Sequence, residues 1–134
     1  MATDRRLRLV IVTPETTLLD QDIRSVRFPL FDGQMGVLPG RAPLVGKLGY
    51  GELRYHADDG EHALFIDGGF VQIKGSVVSI LTGRAIPVEA IDRSAVEAAL
   101  EEARLRRALT DEELAEKQRD QQRARAMLAL VRGR

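Results

Sequence analysis

Cysteine is absent from the 134 residues, which excludes a disulfide framework, a thiolate metal site and a thiol nucleophile. Tryptophan is also absent and aromatic residues make up only 4%, so valine, isoleucine and leucine must fill any core. An excess of charge of either sign is missing too. Lysine plus arginine and aspartate plus glutamate each total 20, for a net charge of zero. That removes the electrostatic footprint of a nucleic-acid or anionic-membrane binder. No apolar run approaches the roughly 18 to 20 residues that span a bilayer, and Met1 to Arg8 lacks the apolar core of a signal peptide. The expectation is a cytoplasmic, unprocessed chain that reaches a membrane only through a partner.

What is present is ordinary for a globular chain: 44% hydrophobic and 30% charged residues, enough for one domain plus an appendage. The most distinctive stretch is Pro29 to Val45. It holds three of the five prolines and three of the twelve glycines, interleaved with Leu30, Phe31, Met35, Val37, Leu38, Leu44 and Val45. So much apolar side chain among conformational specialists describes a shaped, half-buried connection between strands that presents a surface to something else.

Around it the chain reads as short strands. Leu7, Leu9 and Ile11 alternate with Arg8, Val10 and Val12, the period of a half-buried strand. Ile23 to Phe28 is a second strand, with Arg24, Val26 and Phe28 on one face. Gly51 to His56 and Ala63 to Ile66 flank Asp59-Gly60, which predicts a hairpin with a type I′ turn. In that register Ala57 opposes His62 and His56 opposes Ala63. Phe70 to Ile73 and Val77 to Leu81 form another hairpin around Lys74 to Ser76. These strands predict a β-sandwich or barrel over residues 1–87.

After Pro87 there is no further proline, and no glycine until Gly133. Asp92 is a candidate N-cap with Ile91 and Val96 as a hydrophobic staple, or Ser94 and Glu97 form a capping box instead. Val96, Ala99, Leu100 and Ala103 make one helical stripe. Thr110 and Glu113 form a second capping box, with Leu109 and Leu114 as its staple. Two helices are predicted, over 92–108 and 111–131, in residues 88–134. Glu116 to Arg123 contains no apolar residue over two turns, leaving Ala124, Met127, Leu128 and Val131 to pack. Such a hairpin is expected to be marginally docked and able to separate or extend when another surface offers better contacts.

No constellation reads as catalytic. His56 and His62 point to opposite faces of their hairpin and are surface residues rather than a metal site. Asp58, Asp59, Glu61 and Asp67 sit where turns favour them, and no phosphate-binding loop is present. The basic cluster Arg119, Arg123, Arg125, Arg132 and Arg134 is either a solvated face or a set of partners for carboxylates on another protein. Repulsion between Arg119 and Arg123 at i, i+4 favours the second reading.

Gly33-x-x-Gly36-Val37-Leu38-Pro39-Gly40-x-Ala42-Pro43-Leu44 resembles the signature of the ε subunit of bacterial and chloroplast F-type ATP synthases, the counterpart of mitochondrial δ. The likeness extends to Val12 to Glu15, Gly51-x-Leu53-Arg54, Gly68-Gly69-Phe70-Val71-x-Ile73 and Ile91-Asp92, collinear over about residues 9 to 105. It implies an α+β chain, an N-terminal antiparallel β-sandwich (1–87) followed by a C-terminal two-helix antiparallel hairpin (88–134). It further implies a non-catalytic central-stalk subunit of a proton-translocating complex, without a cofactor, peripheral on the cytoplasmic (or stromal) membrane face.

By the resemblance, the sandwich couples the γ subunit to the c-ring through Phe31, Asp32, Gln34, Met35, Val37, Leu38, Arg41 and Pro43. The mobile hairpin inhibits ATP hydrolysis by bringing Arg119, Arg123, Arg125 and Arg132 to the β (and α) subunits. Gln34 and Arg41 stand where many relatives have glutamate and histidine. Some members bind ATP through an Ile/Leu-Asp-x-x-Arg-Ala motif. Here Ile91 and Asp92 match but Ala95 replaces the arginine, which removes the phosphate partner. Two rival readings are a lipoyl- or biotinyl-type carrier domain, for which Lys74 is the sole candidate lysine, and a free-standing adaptor with a coiled-coil arm, whose heptads fail across Glu116 to Arg123.

Overall fold

The computed structural model describes residues 6–40 and 43–132, Arg132 by its backbone alone. The chain divides into two compact units, 1–87 and 88–134.

Among the described residues the first unit contains eight strands: β1 (Leu7–Val12), β2 (Thr17–Ile23), β3 (Ser25–Leu30), β4 (Gly33–Val37), β5 (Leu44–Ala57), β6 (Gly60–Lys74), β7 (Val77–Leu81) and β8 (Ala85–Pro87). They hydrogen-bond in the order β2-β1-β7-β6-β5-β3-β4, with β8 on β6. Every pairing is antiparallel except that of β1 with β7, which run parallel.

The two long strands belong to both layers of the sandwich. Residues 44–48 of β5 pair with 69–73 of β6 beside β7, whereas 50–57 pair with 60–67 beside β3 and β8. The crossing is made at glycines. Gly68 and Gly69 have φ of 68° and 108°, conformations that other residues avoid. A Cβ on Gly69 would lie 1.9 Å from the Leu81 carbonyl oxygen, and one on Gly49 would lie 2.8 Å from that of Leu30. Pro29 sits where the β3–β5 register breaks between Arg27 and Leu30, at an irregularity that tolerates a residue without an amide hydrogen.

Alternation along the strands builds the core. Leu7, Leu9 and Ile11 of β1, Val71 and Ile73 of β6, and Val78 and Ile80 of β7 meet Val26, Phe28, Val37, Leu53, Tyr55 and Ile66. Each such side chain contributes about 1.5–3 kcal/mol on burial.

Three sequence expectations need correcting here. Ile23 to Phe28 is not one strand: β2 ends at Ile23, Arg24 forms a bend whose amide donates to the His56 carbonyl, and β3 begins at Ser25. That bend lets Ile23, Val26 and Phe28 all be buried while Arg24 is exposed and pairs with Asp58. The Pro29–Val45 connection contains a hairpin: Leu30 pairs with Gly33 across the two-residue turn Phe31-Asp32, and β4 follows. The β5–β6 turn is Asp58-Asp59, with Ala57 opposite Gly60, Tyr55 opposite His62 and His56 opposite Glu61. Among the described residues no non-glycine has positive φ, and only Gly60 (121°) does so at this turn, so it is not type I′.

The second unit has a short 3-10 turn (Val88–Ala90), α1 (Arg93–Leu105) and α2 (Asp111–Arg132). Asp92 caps α1, accepting a hydrogen bond from the Ala95 amide at 3.3 Å, and the staple residues Ile91 and Val96 are both buried. The helix ends at Leu105 rather than 108 because Arg106 turns extended. Thr110 accepts from the Glu113 amide at 3.0 Å, while the Glu113 carboxylate takes the amide of Leu109 rather than that of Thr110. The Leu109–Leu114 staple does not form; both side chains are exposed, as are Ala99 and Leu105. The buried positions are Val96 and Ala103 on α1 and Ala124, Met127, Leu128 and Val131 on α2.

Candidate functional site: a contact surface and an arginine-bearing helix

Period-2 geometry sorts the residues of the Pro29–Val45 stretch. Met35 opposes Phe28 and Val37 opposes Val26, so both share the inner face. Val37 is 1% exposed and Met35 packs against the core. Val37 therefore offers no surface to a partner, whereas Met35 is only partly buried and keeps some. Asp32, Gln34 and Pro43 are exposed; Phe31 is 69% exposed at the turn and Leu38 67% just after β4. Arg41 lies outside the described residues.

The exposed apolar surface runs on beyond that stretch. The Phe31 amide donates to the Lys47 carbonyl at 3.0 Å, Lys47 opposes Phe70, and Phe70 opposes Leu81. Val45, two residues from Lys47 and hence on the same face, is 74% exposed, and Phe70 is 58% exposed. Sequence reasoning missed Val45 and Phe70 as surface residues. The signal was available in alternation, since Val71 and Ile73 point inward and Phe70 therefore points out. Apolar side chains held in water on rigid strands mark an interaction surface rather than a reaction centre.

Several polar groups on the sandwich are matched to each other. His62 Nε2 lies 2.9 Å from Asp59 Oδ1 and its ring stacks on Tyr55 at 5.0 Å. His56 is on the other face, opposite Glu61. A depression of about 450 Å³ is lined by Ser25, Arg27, Gly36, Leu38, Arg54 and His56 among others. Its guanidiniums are engaged: Arg54 bonds Glu52 and Glu61, and Arg27 is 3.7 Å from Glu52. Among the described residues no group of three potential metal ligands occurs, and no helix is long and apolar enough to cross a membrane.

The described arginines of α2 do not form one patch. Arg119 and Arg123 are at i, i+4 on one flank of the stripe made by Ala124, Met127, Leu128 and Val131; Arg125 is on the other flank. Arg119 and Arg125 are exposed and form no ion pair among the described residues. Arg123 is 22% exposed and bonds Asp120 at 2.7 Å. The Arg132 side chain lies outside the described residues. Of the candidate nucleotide residues, Ile91 is buried and the Asp92 carboxylate is occupied as the helix cap.

A strand sandwich with an exposed apolar end, joined to a two-helix unit that carries cations, defines a chain built to bind other proteins. The chain belongs to the ATP synthase delta/epsilon family: residues 6–88 match the model of the ATP synthase delta/epsilon chain β-sandwich domain. It is 44% identical to the ATP synthase epsilon chain of Rhodopirellula baltica over 94% of this chain and 98% of that one. It is 35% identical to the sodium-ion-specific epsilon chain of Propionigenium modestum over 87% of each. By fold it is similar to a chain in the mitochondrial ATP synthase of Euglena gracilis (OSCP/F1/c-ring), with a TM-score of 0.85 and 24% identity over 98% of this chain and 84% of that one. A chain of the Tetrahymena thermophila central stalk and c-ring assembly gives a TM-score of 0.70 at 13% identity, covering 96% and 98%.

Proposed function

We propose that the chain is the epsilon chain of an F-type ATP synthase, a non-catalytic central-stalk subunit. Its sandwich couples the γ subunit to the c-ring, and its C-terminal helices restrain ATP hydrolysis. The observation that carries this reading is end-to-end similarity to chains of that name, both units included. The apolar end of the sandwich supports it: Val45 and Phe70 on strands and Phe31 on the adjoining turn are held in water and suit a permanent partner surface. On this reading Phe31, Asp32, Gln34, Leu38, Arg41 and Pro43 face the rotor. Arg119 and Arg125, with Arg132, are the arginines that meet carboxylates of the β and α subunits, and Arg123 joins them only after leaving Asp120. The chain is then peripheral, on the membrane face that carries the catalytic head.

The test is ATP hydrolysis by the assembled complex with the full chain and with residues 88–134 removed. The truncated subunit stays bound through its sandwich and hydrolysis rises several-fold. Unchanged hydrolysis removes the inhibitory role, and failure of the full chain to co-purify with γ and the c-ring removes the rotor assignment.

A further inference from the structure

Core-facing positions of α2 recur at the alternating spacing of three and four that packs one helix along another: 117, 120, 124, 127 and 131. The last three are the buried Ala124, Met127 and Val131. The first two are Lys117 and Asp120, and both reach the connection that follows α1. Arg106 Nη1 donates to Asp120 Oδ2 at 2.7 Å, and Lys117 Nζ donates to the Arg106 carbonyl at 2.9 Å. Arg106 also bonds Glu102 of α1 at 2.6 Å, and the second oxygen of Asp120 takes Arg123 at 2.7 Å. The Arg106, Asp120 and Arg123 side chains are only 31%, 29% and 22% exposed. The pairs Arg93–Glu97 and Arg104–Glu101 are more than half exposed and stay within one helix. Partial burial and two-sided bonding distinguish an ion pair that orders structure from one that decorates a surface.

We propose that Asp120 is the latch of the helical hairpin. By holding Arg106 across the turn and Arg123 on its own helix, it keeps the turn end of α2 closed against α1 where apolar side chains give out. Removing its charge opens the hairpin from that end and leaves the Met127 end in place. The same carboxylate keeps Arg123 from any acidic partner, so closure and concealment of that arginine are one event. This rests on the hairpin's own geometry and stands whether or not the rotor assignment does.

The test uses the isolated full-length chain and amide hydrogen exchange resolved along 93–132. Asp120→Asn and Arg106→Gln each raise exchange in 113–123 by on the order of tenfold or more, the loss expected for a charge-assisted bond. The 124–131 segment changes much less, and the double variant is no worse than either single one because they cut one link. Glu101→Gln, which removes an ion pair inside α1, leaves α2 within about twofold of the parent and controls for general loss of helix. As the chain has no cysteine, spin labels on cysteines placed at Glu97 and Arg125 and at Arg104 and Gln118 measure opening directly. The second distance broadens in Asp120→Asn and the first does not. Exchange in 113–123 that is unchanged in Asp120→Asn, effects of the two substitutions that add, or uniform loosening of both label pairs would each overturn the latch.

Discussion

Replacing three glycines by alanine, one at a time, separates backbone strain from steric exclusion in the sandwich. Gly75 has φ of 60° with nothing within 4 Å of an added Cβ, so alanine meets only the left-handed penalty, about 1–2 kcal/mol. At Gly49 φ is ordinary, but the Cβ would lie 2.8 Å from the Leu30 carbonyl oxygen and 3.3 Å from Phe31 Cα. There β3 or β5 must shift, at about 1–3 kcal/mol, the range for overpacking. Gly69 combines both, with φ of 108° and a Cβ 1.9 Å from the Leu81 carbonyl oxygen. No rotamer relieves a backbone contact that short. The Phe70–Leu81 pairing must open, which forfeits about two ladder bonds at roughly 1 kcal/mol each besides the strain. With about 1–2 kcal/mol of strain and about 2 from the ladder, the sum for Gly69→Ala is about 3–4 kcal/mol. For a unit of this size that lowers Tm by on the order of 20 °C. Tyr50 and Tyr55, the only tyrosines, both lie in the sandwich, so tyrosine fluorescence during urea and thermal unfolding of the full chain reports on that unit alone. The expected order of loss is Gly69, then Gly49, then Gly75. A Gly69→Ala variant within 1 kcal/mol of Gly75→Ala would refute the claim that this glycine exists to let β6 cross between layers beside β7.

Further predictions concern the core, the cap, the exposed end and pH. Phe28→Ala, at a fully buried position, loses about 3–5 kcal/mol in the same fluorescence assay. Asp92→Ala removes the bond to the Ala95 amide, costs about 1 kcal/mol, and shows as faster exchange in the first turn of α1. Phe31→Ser and Phe70→Ser, both on exposed side chains, leave the melting curve of the isolated chain within about 0.5 kcal/mol but weaken retention on the assembled complex. Arg106 and then Arg123 hold the Asp120 carboxyl below its usual range, and Arg106 does the same for Glu102. The groups facing Asp120 are Arg106, Glu102, Lys117 and Arg123. A carboxylate depressed on folding contributes stability that is complete above its unfolded value, about 3.9, and is lost as pH falls through the lower folded value. Protection of α2 is therefore flat from neutrality to about pH 5 and declines below about pH 4, and part of that decline disappears in Asp120→Asn.

How far the residues foretold this arrangement depends on whether burial left a period in them. The period of two in Leu7, Leu9 and Ile11 gave β1 directly, because each of those side chains enters the core. β2 was invisible: in Thr17–Ile23 only Ile23 is fully buried, and a register shift at Val12 breaks what alternation remains. β5 and β6 read as fragments because Gly46, Gly49, Gly51, Gly68 and Gly69 look like breakers, whereas at 49, 68 and 69 glycine is what lets a strand continue through a change of layer. Caps are local, so Asp92 and Thr110 were legible from spacing alone. The staple at Leu109 and Leu114 was not, because a staple also needs a surface to pack on, and both side chains remain in water.

The contact surface and the helical latch were each obscured by a single inference about context. Treating Pro29–Val45 as a loop placed Val37 and Leu38 on equal terms. Once Gly33–Val37 is a strand paired with β3, position parity alone sends Met35 and Val37 inward and leaves Gln34 out. On α2, the run from Glu116 to Arg123 looks like a failure of the apolar repeat, and chemically it is. Geometrically the repeat continues through Lys117 and Asp120, and those positions receive a guanidinium and a carbonyl from Arg106 instead of methyl groups. A polar residue at a core-facing position specifies register at some loss of stability. A hairpin built that way over half its length is held closed by contacts that water and other carboxylates can replace, whereas its Met127 end is held by contacts they cannot.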